Sequence, residues 1–473
     1  MYICTNENIN LDTMFETSTY VNRRKKLSES FNKDILLFVG NDESSMNYAD
    51  NTYPFRQDST FLYYFGYHHT PGLVAIIDTE ENREIIFGDE ATIDTIVWTG
   101  PQPTLKEQAG AVGISEVLPL AKLKTFLTEA VTQNRTIHFL PVYRPEHKLK
   151  LSEWLHIAPS LVDEKKSVEF IKAVVNQRNH KTAEEVAEID RATTVSYRMH
   201  VAGMKAAKEG MREYEIMSVI HQTALENGCS LAFPIICTTH GETLHNHNYS
   251  FMLRKENMLL IDAGAELPSG YCGDISSTMP VSGKFTGRQR TIYDIVMAAH
   301  QAAVQALKPG VAFRDIYYQT GRIIVEGMKS IGLMKGDATD AVMAGAHAMF
   351  FQCGLGHMMG LDVHDMENLG EVWVGYGGEP KSTQFGIKSL RLARPLEPGF
   401  VLTVEPGIYF IPTLIDLWSA EKRFADFINY DQLIKWRDFG GIRNEEDYLI
   451  TYEGYQLLGN PQEKTLLVET YLT

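Results

Sequence analysis

The stretch Asn257 to Pro280, NMLLIDAGAELPSGYCGDISSTMP, constrains this chain more than any other. Met258 to Ile261 is an apolar run of strand type, and Asp262 follows it directly, where a carboxylate needs a partner. Leu267-Pro268-Ser269-Gly270 is hairpin punctuation, and the chain returns with Asp274 ahead of a Ser/Thr-rich strand. The pattern predicts a β-ribbon across which the two aspartates face each other. Held close, two ionised carboxylates repel unless they share a proton or a cation. Aspartates that merely cap a turn fit the same local pattern, so the rest of the chain must decide.

At 473 residues the chain is long for one core, and two domains are expected. A formal charge of -16 argues against a nucleic-acid partner, because phosphate binding needs a basic face. Cys4, Cys229, Cys237, Cys272 and Cys353 are scattered without a CxxC pair, which suggests neither a disulfide framework nor a thiolate zinc site and fits a reducing cytoplasm. The opening MYICTNENINLDTMFETS has no basic start followed by an apolar core, and no later run is long and apolar enough to span a bilayer. A cytoplasmic protein with no membrane partner is the expectation.

Between Asn22 and Leu161, short β-like runs (Ile35 to Val39, Gly72 to Asp78, Arg83 to Phe87, Thr136 to Leu140) alternate with helical or polar stretches, the pattern of an α/β domain. Tyr53-Pro54-Phe55-Arg56-Gln57-Asp58 ahead of the aromatic run Phe61 to Tyr67 reads as a turn leading into a packing segment. The polar stretch Asp163 to Lys181 looks like the domain boundary. Thr182 and Glu185 form a capping box that opens a long helix, with Gly210 to close it, and a second helix runs Glu213 to Glu226. Leu231 to Asn248 reads as strand carrying His240, His245 and His247, either a metal cluster or surface histidines. Helices Gln289 to Leu307 and Phe313 to Ile331 follow the ribbon and loosely repeat the earlier order.

The last third repeats one device. Cys353-Gly354-Leu355-Gly356-His357 and Val363-His364-Asp365 set two histidines among glycines that allow close backbone approach. Phe400 to Val404 ends in Glu405-Pro406-Gly407, and Gly440-Gly441-Ile442-Arg443-Asn444-Glu445 leads into the strand Tyr448 to Thr451. Together these complete a set of Asp262, Asp274, His357, Glu405 and Glu445. Four carboxylates and one imidazole form a hard, oxygen-rich site suited to Mn²⁺ and less selectively to Co²⁺, Zn²⁺ or Fe²⁺. Four anionic ligands suit a pair of divalent ions about 3.5 to 4 Å apart, which activates water and polarises a carbonyl for amide hydrolysis. Glu405 is placed to carry the proton from that water to the leaving nitrogen.

The order Asp, Asp, GLGH, VHD, EPG and GGIR with its nearby Glu resembles the pita-bread metallopeptidases, in the branch of Xaa-Pro aminopeptidases (aminopeptidase P) and Xaa-Pro dipeptidases (prolidases). The match runs from about Thr182 to Thr451, and Tyr53 to Gly66 resembles the N-terminal-domain signature of that branch. The resemblance implies an α/β N-terminal domain over 1–175 and an α+β pita-bread catalytic domain over 176–473. It implies that Asp262, Asp274, His357, Glu405 and Glu445 bind two divalent metal ions, usually manganese, with Asp274 and Glu445 bridging. His245 then binds substrate or shuttles a proton, His364 steadies the scissile carbonyl or the tetrahedral intermediate, and Arg443 supports the ligands from behind. Asp50 and Tyr53 would line the mouth of the site.

The implied activity removes an N-terminal residue that precedes proline, from peptides with proline at the second position, by a homo-oligomer (dimer or tetramer). A strict Xaa-Pro dipeptidase is the alternative, and a silent peptide-binding module or a creatinase-type hydrolase fits the intact ligand set less well. Arg391 and Arg394 resemble a prolidase arginine that holds a free prolyl carboxylate, and with Lys388 they read equally as a solvated basic patch. The insertion Pro412 to Asp438, with Trp418, Phe424, Phe427 and Trp436, also resembles prolidases. Two departures stand out: the ribbon is one residue longer than usual, which its turn is expected to absorb, and Cys353 replaces a histidine.

Overall fold

Strand alternation builds the first sheet. In the computed structural model, which describes residues 14–460 and 463, β1 (Ile35–Val39) sends Ile35 and Leu37 to one face and Leu36 and Phe38 to the other, all buried. β2 (Val74–Asp78), β3 (Arg83–Phe87), β4 (Glu116–Leu118) and β5 (Ile137–Phe139) complete a mixed sheet in the order β4-β3-β2-β1-β5. Leu123 and Leu127 of a flanking helix join the Ile35 face, and Phe65 and Phe170 meet Phe38 edge-on with ring centroids 5.0 Å away. A sheet covered on both faces by helices is an α/β layer structure. Each such aliphatic or aromatic burial contributes about 1.5–3 kcal/mol.

The turn read before Phe61 is a helix start: Asp58 caps helix Ser59–Phe65 by accepting from the N–H groups of Thr60 and Phe61, both at 2.9 Å. Gly66 ends it at φ +67°, where an added Cβ would lie 2.7 Å from the Tyr20 ring. Cys4 and the residues before position 14, on which the leader reading rests, lie outside the described residues.

The chain divides into two units, Met1–Gln177 and Arg178–Thr473. The division falls inside helix Val168–Asn179, so the polar boundary stretch is helical. Its polar residues mask an apolar stripe, Phe170, Ile171, Val174 and Val175, at helical spacing and buried.

In the second unit, Thr182 and Glu185 form the reciprocal cap that opens helix Ala183–Ala206. That helix stops at Ala206 rather than near Gly210. Glu213–Glu226 packs against it, with Gly203 so close to Ile220 that a Cβ would lie 2.8 Å from Cγ1. A second pair, Gly287–Gln305 and Phe313–Ser330, is also packed together.

Among the described residues, ten short strands carry the rest. β6 (Ser230–Leu231) pairs β9 (Ala265–Glu266), and β7 (Ile236–Thr238), β8 (Met258–Ala263) and β10 (Ile275–Pro280) form an antiparallel sheet in the order β10-β8-β7. β11 (Val401–Val404), β14 (Glu446–Ile450) and β15 (Tyr455–Leu457) form another, and β12 (Gly407–Tyr409) pairs β13 (Gly441–Arg443). The bridge Ser276↔Glu445 ties the β10 sheet to the chain entering β14. The region Leu231 to Asn248 is strand only at its start. His240, His245 and His247 lie in the loop after β7, because Thr238 and Glu213 turn the chain there by bonding to the N–H groups of His240 and Thr239.

Candidate active site

The ribbon sets the first two carboxylates. β8 and β10 pair Asp262 with Ser276 and Ala263 with Ile275, so Asp274 is diagonal to Asp262 on the same face instead of opposite it. The bridge Glu266↔Cys272 keeps the same register to the tip, where Gly270 donates to the Leu267 carbonyl at 2.8 Å; the extra residue sits in the Pro268-Ser269-Gly270 turn. Gly264 lets the strands close, since a Cβ there would meet the Gly273 carbonyl oxygen at 1.9 Å.

The other three predicted ligands arrive from separate elements. Gly356 presses on Thr403, and the backbone of His357 exchanges hydrogen bonds with Thr403: its N–H donates to Thr403 Oγ1 at 3.1 Å and its carbonyl accepts from Thr403 N at 3.0 Å. Glu405 follows β11 and donates its N–H to the Leu355 carbonyl at 2.8 Å. Glu445 lies between β13 and β14, held by its N–H to the Ser276 carbonyl at 2.9 Å and by Ser276 Oγ on Oε2 at 2.7 Å.

Ligand atoms of Asp274, His357 and Glu445, all buried, lie within 4.8 Å of one another. His357 Nε2 is 3.3 Å from Asp274 Oδ2 and 3.7 Å from Glu405 Oε1. Its Nδ1 lies 3.1 Å from the Met358 carbonyl, which assigns the proton to Nδ1 and leaves the Nε2 lone pair toward the carboxylates. Burial, then the neighbouring His364, holds His357 well below the usual imidazole pKa, so it is neutral.

Burial raises Asp274 well above the carboxylate range, reinforced by Glu445 and Asp262; burial raises Glu445 likewise, reinforced by Glu405 and Asp262. Burial also raises Glu405. Arg443 donates from Nη2 to Asp262, from Nε to Ser276 Oγ at 2.8 Å and from Nη1 to Tyr409 Oη at 2.9 Å. Asp262 Oδ1 and Asp274 Oδ1 remain buried without a hydrogen-bond partner. Orphaned buried carboxylate oxygens beside a neutral imidazole are the donor set of a hard divalent cation.

These residues line a cavity of about 700 Å³. His245, His364, Arg391 and Arg443 also line it, together with an apolar side made of Phe233, Pro234, Ile236 and Leu244. Partial burial and then Arg443 depress His245 below the usual imidazole value. The expected basic patch divides: Lys388 and Arg391 line the cavity, whereas Arg394 pairs with Glu397 at 2.7 Å and lies over the Phe400 ring. His240 is turned to Glu242 at 3.0 Å, whereas His245 and His247 line the cavity. Asp50 and Tyr53 belong to the first unit and are exposed there.

Several contributors escape a reading of motifs. Asp447, fully buried, accepts from Asp274 N at 3.1 Å and Thr193 Oγ1 at 2.6 Å; its spacing two residues after Glu445 on an extended segment was the available signal. Tyr409, on β12, meets both Arg443 and the Cys353 thiol, the latter at 3.8 Å. Lys381 and Glu371 form an ion pair on the cavity wall, between a loop residue and the first residue of the short helix Glu371–Val374, that no periodicity marks.

Residues 187–452 match the model of metallopeptidase family M24, and residues 20–138 match that of the aminopeptidase P N-terminal domain. Human Xaa-Pro dipeptidase is 30% identical, with 92% of this chain and 89% of that protein covered. Escherichia coli Xaa-Pro aminopeptidase is 28% identical over 87% of each. A solved variant of Escherichia coli aminopeptidase P superposes with a TM-score of 0.78 at 26% identity, covering 97% of this chain and 98% of that one. Fold and site define a metal-dependent peptidase with an α/β N-terminal domain and a pita-bread catalytic domain. The chain belongs to metallopeptidase family M24.

Proposed function

We propose that the protein is an Xaa-Pro aminopeptidase that hydrolyses the bond between an N-terminal residue and a following proline, with two divalent ions, manganese by preference. One observation carries the reading: Asp262, Asp274, Glu405 and Glu445 line one cavity with the buried guanidinium of Arg443 and the neutral His357. One dication leaves a net negative charge among these groups and two do not. Asp262, Asp274, His357, Glu405 and Glu445 would hold them. Bound there, divalent ions lower the pKa of water and polarise a peptide carbonyl.

The chain's own residues do the rest. Glu405, raised by burial, is suited to accept a proton and return it to the leaving prolyl nitrogen. Phe233, Pro234, Ile236 and Leu244 give an apolar surface for the pyrrolidine ring and exclude water. His245 and His364 flank the ligands and hydrogen-bond the substrate backbone. The relatives named for Xaa-Pro peptides support this substrate class.

A strict dipeptidase is the second reading, favoured by Lys388 and Arg391 on the same wall, where a free prolyl carboxylate finds cationic partners. Liquid chromatography of digests of Xaa-Pro and Xaa-Pro-Yaa-Zaa, each with Mn²⁺, Co²⁺ and Zn²⁺, separates them. Release of the first residue from the tetrapeptide supports the aminopeptidase, and cleavage confined to the dipeptide refutes it.

The four described cysteines are free thiols, which supports a cytoplasmic location. The described helices include none long and apolar enough to cross a membrane. The strongly exposed Ile93, Val97 and Trp98 of helix Ile93–Thr99 support a homo-oligomer, which light scattering would reveal.

A further inference from the structure

His364 faces the cavity, and a carboxylate outside the cavity lining holds it from behind. Glu367 Oε2 lies 2.6 Å from His364 Nδ1 and 3.4 Å from Arg391 Nε. The backbone imposes this contact. Glu367 donates its N–H to the His364 carbonyl at 3.2 Å, and Met366, fully buried at φ +59°, locks the intervening turn. Glu371 extends the chain of alternating charge, 3.6 Å from Arg391 Nε and paired with Lys381.

The bond from His364, with Arg391 nearby, holds Glu367 down at about 2, so it is ionised at neutral pH and acts only as an acceptor. Nδ1 must therefore carry the proton, and Nε2 is the ring atom left to meet substrate. A carboxylate behind an imidazole also fixes the ring plane, the arrangement that orients histidines in other sites.

We propose that Glu367 is a positioning residue, which fixes His364 as its Nδ1–H form and steers Arg391 on the same wall. The proposal rests on the reading that His364 contacts the substrate. Two variants test it: Glu367→Ala removes the acceptor, whereas Glu367→Gln keeps an oxygen in its place. The expected result is a kcat about 10- to 100-fold lower for Glu367→Ala with a much smaller change in KM, and recovery of most of that loss in Glu367→Gln. In a His364→Ala background, Glu367→Ala should cost nothing further.

An equal loss in both backgrounds would overturn the proposal. Nitrogen-15 spectra of the full-length Zn²⁺-loaded protein give an answer that does not depend on turnover: a protonated His364 Nδ1 in the wild type supports it, and an unprotonated Nδ1 refutes it. A wild type inert on every Xaa-Pro peptide would defeat the proposed activity, while the spectra still decide the role of Glu367.

Discussion

Arg443 grips Asp262 by Oδ2 and leaves Oδ1 of the same carboxylate buried with no hydrogen-bond partner. One cation therefore satisfies half of a buried anion, in a cavity that holds four more carboxylates.

Replacing Arg443 by Met should be more damaging without metal than with it. Breaking a buried ion pair on one side costs about 3–5 kcal/mol, because the remaining charge has no partner. Urea denaturation of the chelated protein should show a loss of that order, most of it recovered at saturating Mn²⁺. A chelated variant as stable as the chelated wild type would contradict this electrostatic account.

The raised carboxylates set the sign of a pH effect. Asp274, Glu445 and Glu405 have folded values above the unfolded ones, so the folded chain binds more protons in that window. Stability of the chelated protein should be fullest below about pH 4 with respect to these groups and fall as pH rises through their folded values. Divalent ion should flatten the fall, as differential scanning calorimetry across pH would reveal; an identical slope with and without metal would count against the cluster as its site.

Asp365, next to His364, is a structural anchor. Its carboxylate receives Arg178 Nη2 at 2.6 Å and Lys181 Nζ at 2.8 Å, all three buried. Burial alone would raise Asp365, but the two cations hold it below the usual value, so its contribution persists at neutral pH and is lost as pH falls through the folded value. Asp365→Asn should cost about 3–5 kcal/mol by chemical denaturation. A loss under 1 kcal/mol would mean the two cations find other partners.

Cys353 should resist alkylation. Burial pushes its thiol up to about 12, so thiolate is scarce at pH 8. Modification by iodoacetamide, followed by mass spectrometry, should run roughly a thousandfold slower than for free cysteine. Rapid labelling of Cys353 in the folded protein would exclude a part-buried neutral thiol.

Strands β1 and β3 and helix Glu213–Glu226 are legible to the residue, because periodicity and flanking breaks agree there. The loop after β7 is not, since its path depends on Glu213, brought from a distant helix to bind Thr239. The boundary helix Val168–Asn179 is hidden for a different reason: polar residues outnumber its apolar stripe. At the site, each metal-binding carboxylate is visible at a strand end beside Gly or Pro, but the diagonal placement of Asp274 depends on ribbon register, and Glu367 depends on contacts that motif spacing does not encode.

The bridge between Ser276 and Glu445 has a consequence for biosynthesis. It joins the middle of the second unit to its last sheet, so Asp274 gains its neighbour Glu445 only after synthesis has passed Glu445 and that segment has docked. A ribosome-bound or truncated product that ends before Glu445 has no complete pocket for the ions, and degradative capacity is confined to molecules that have finished folding.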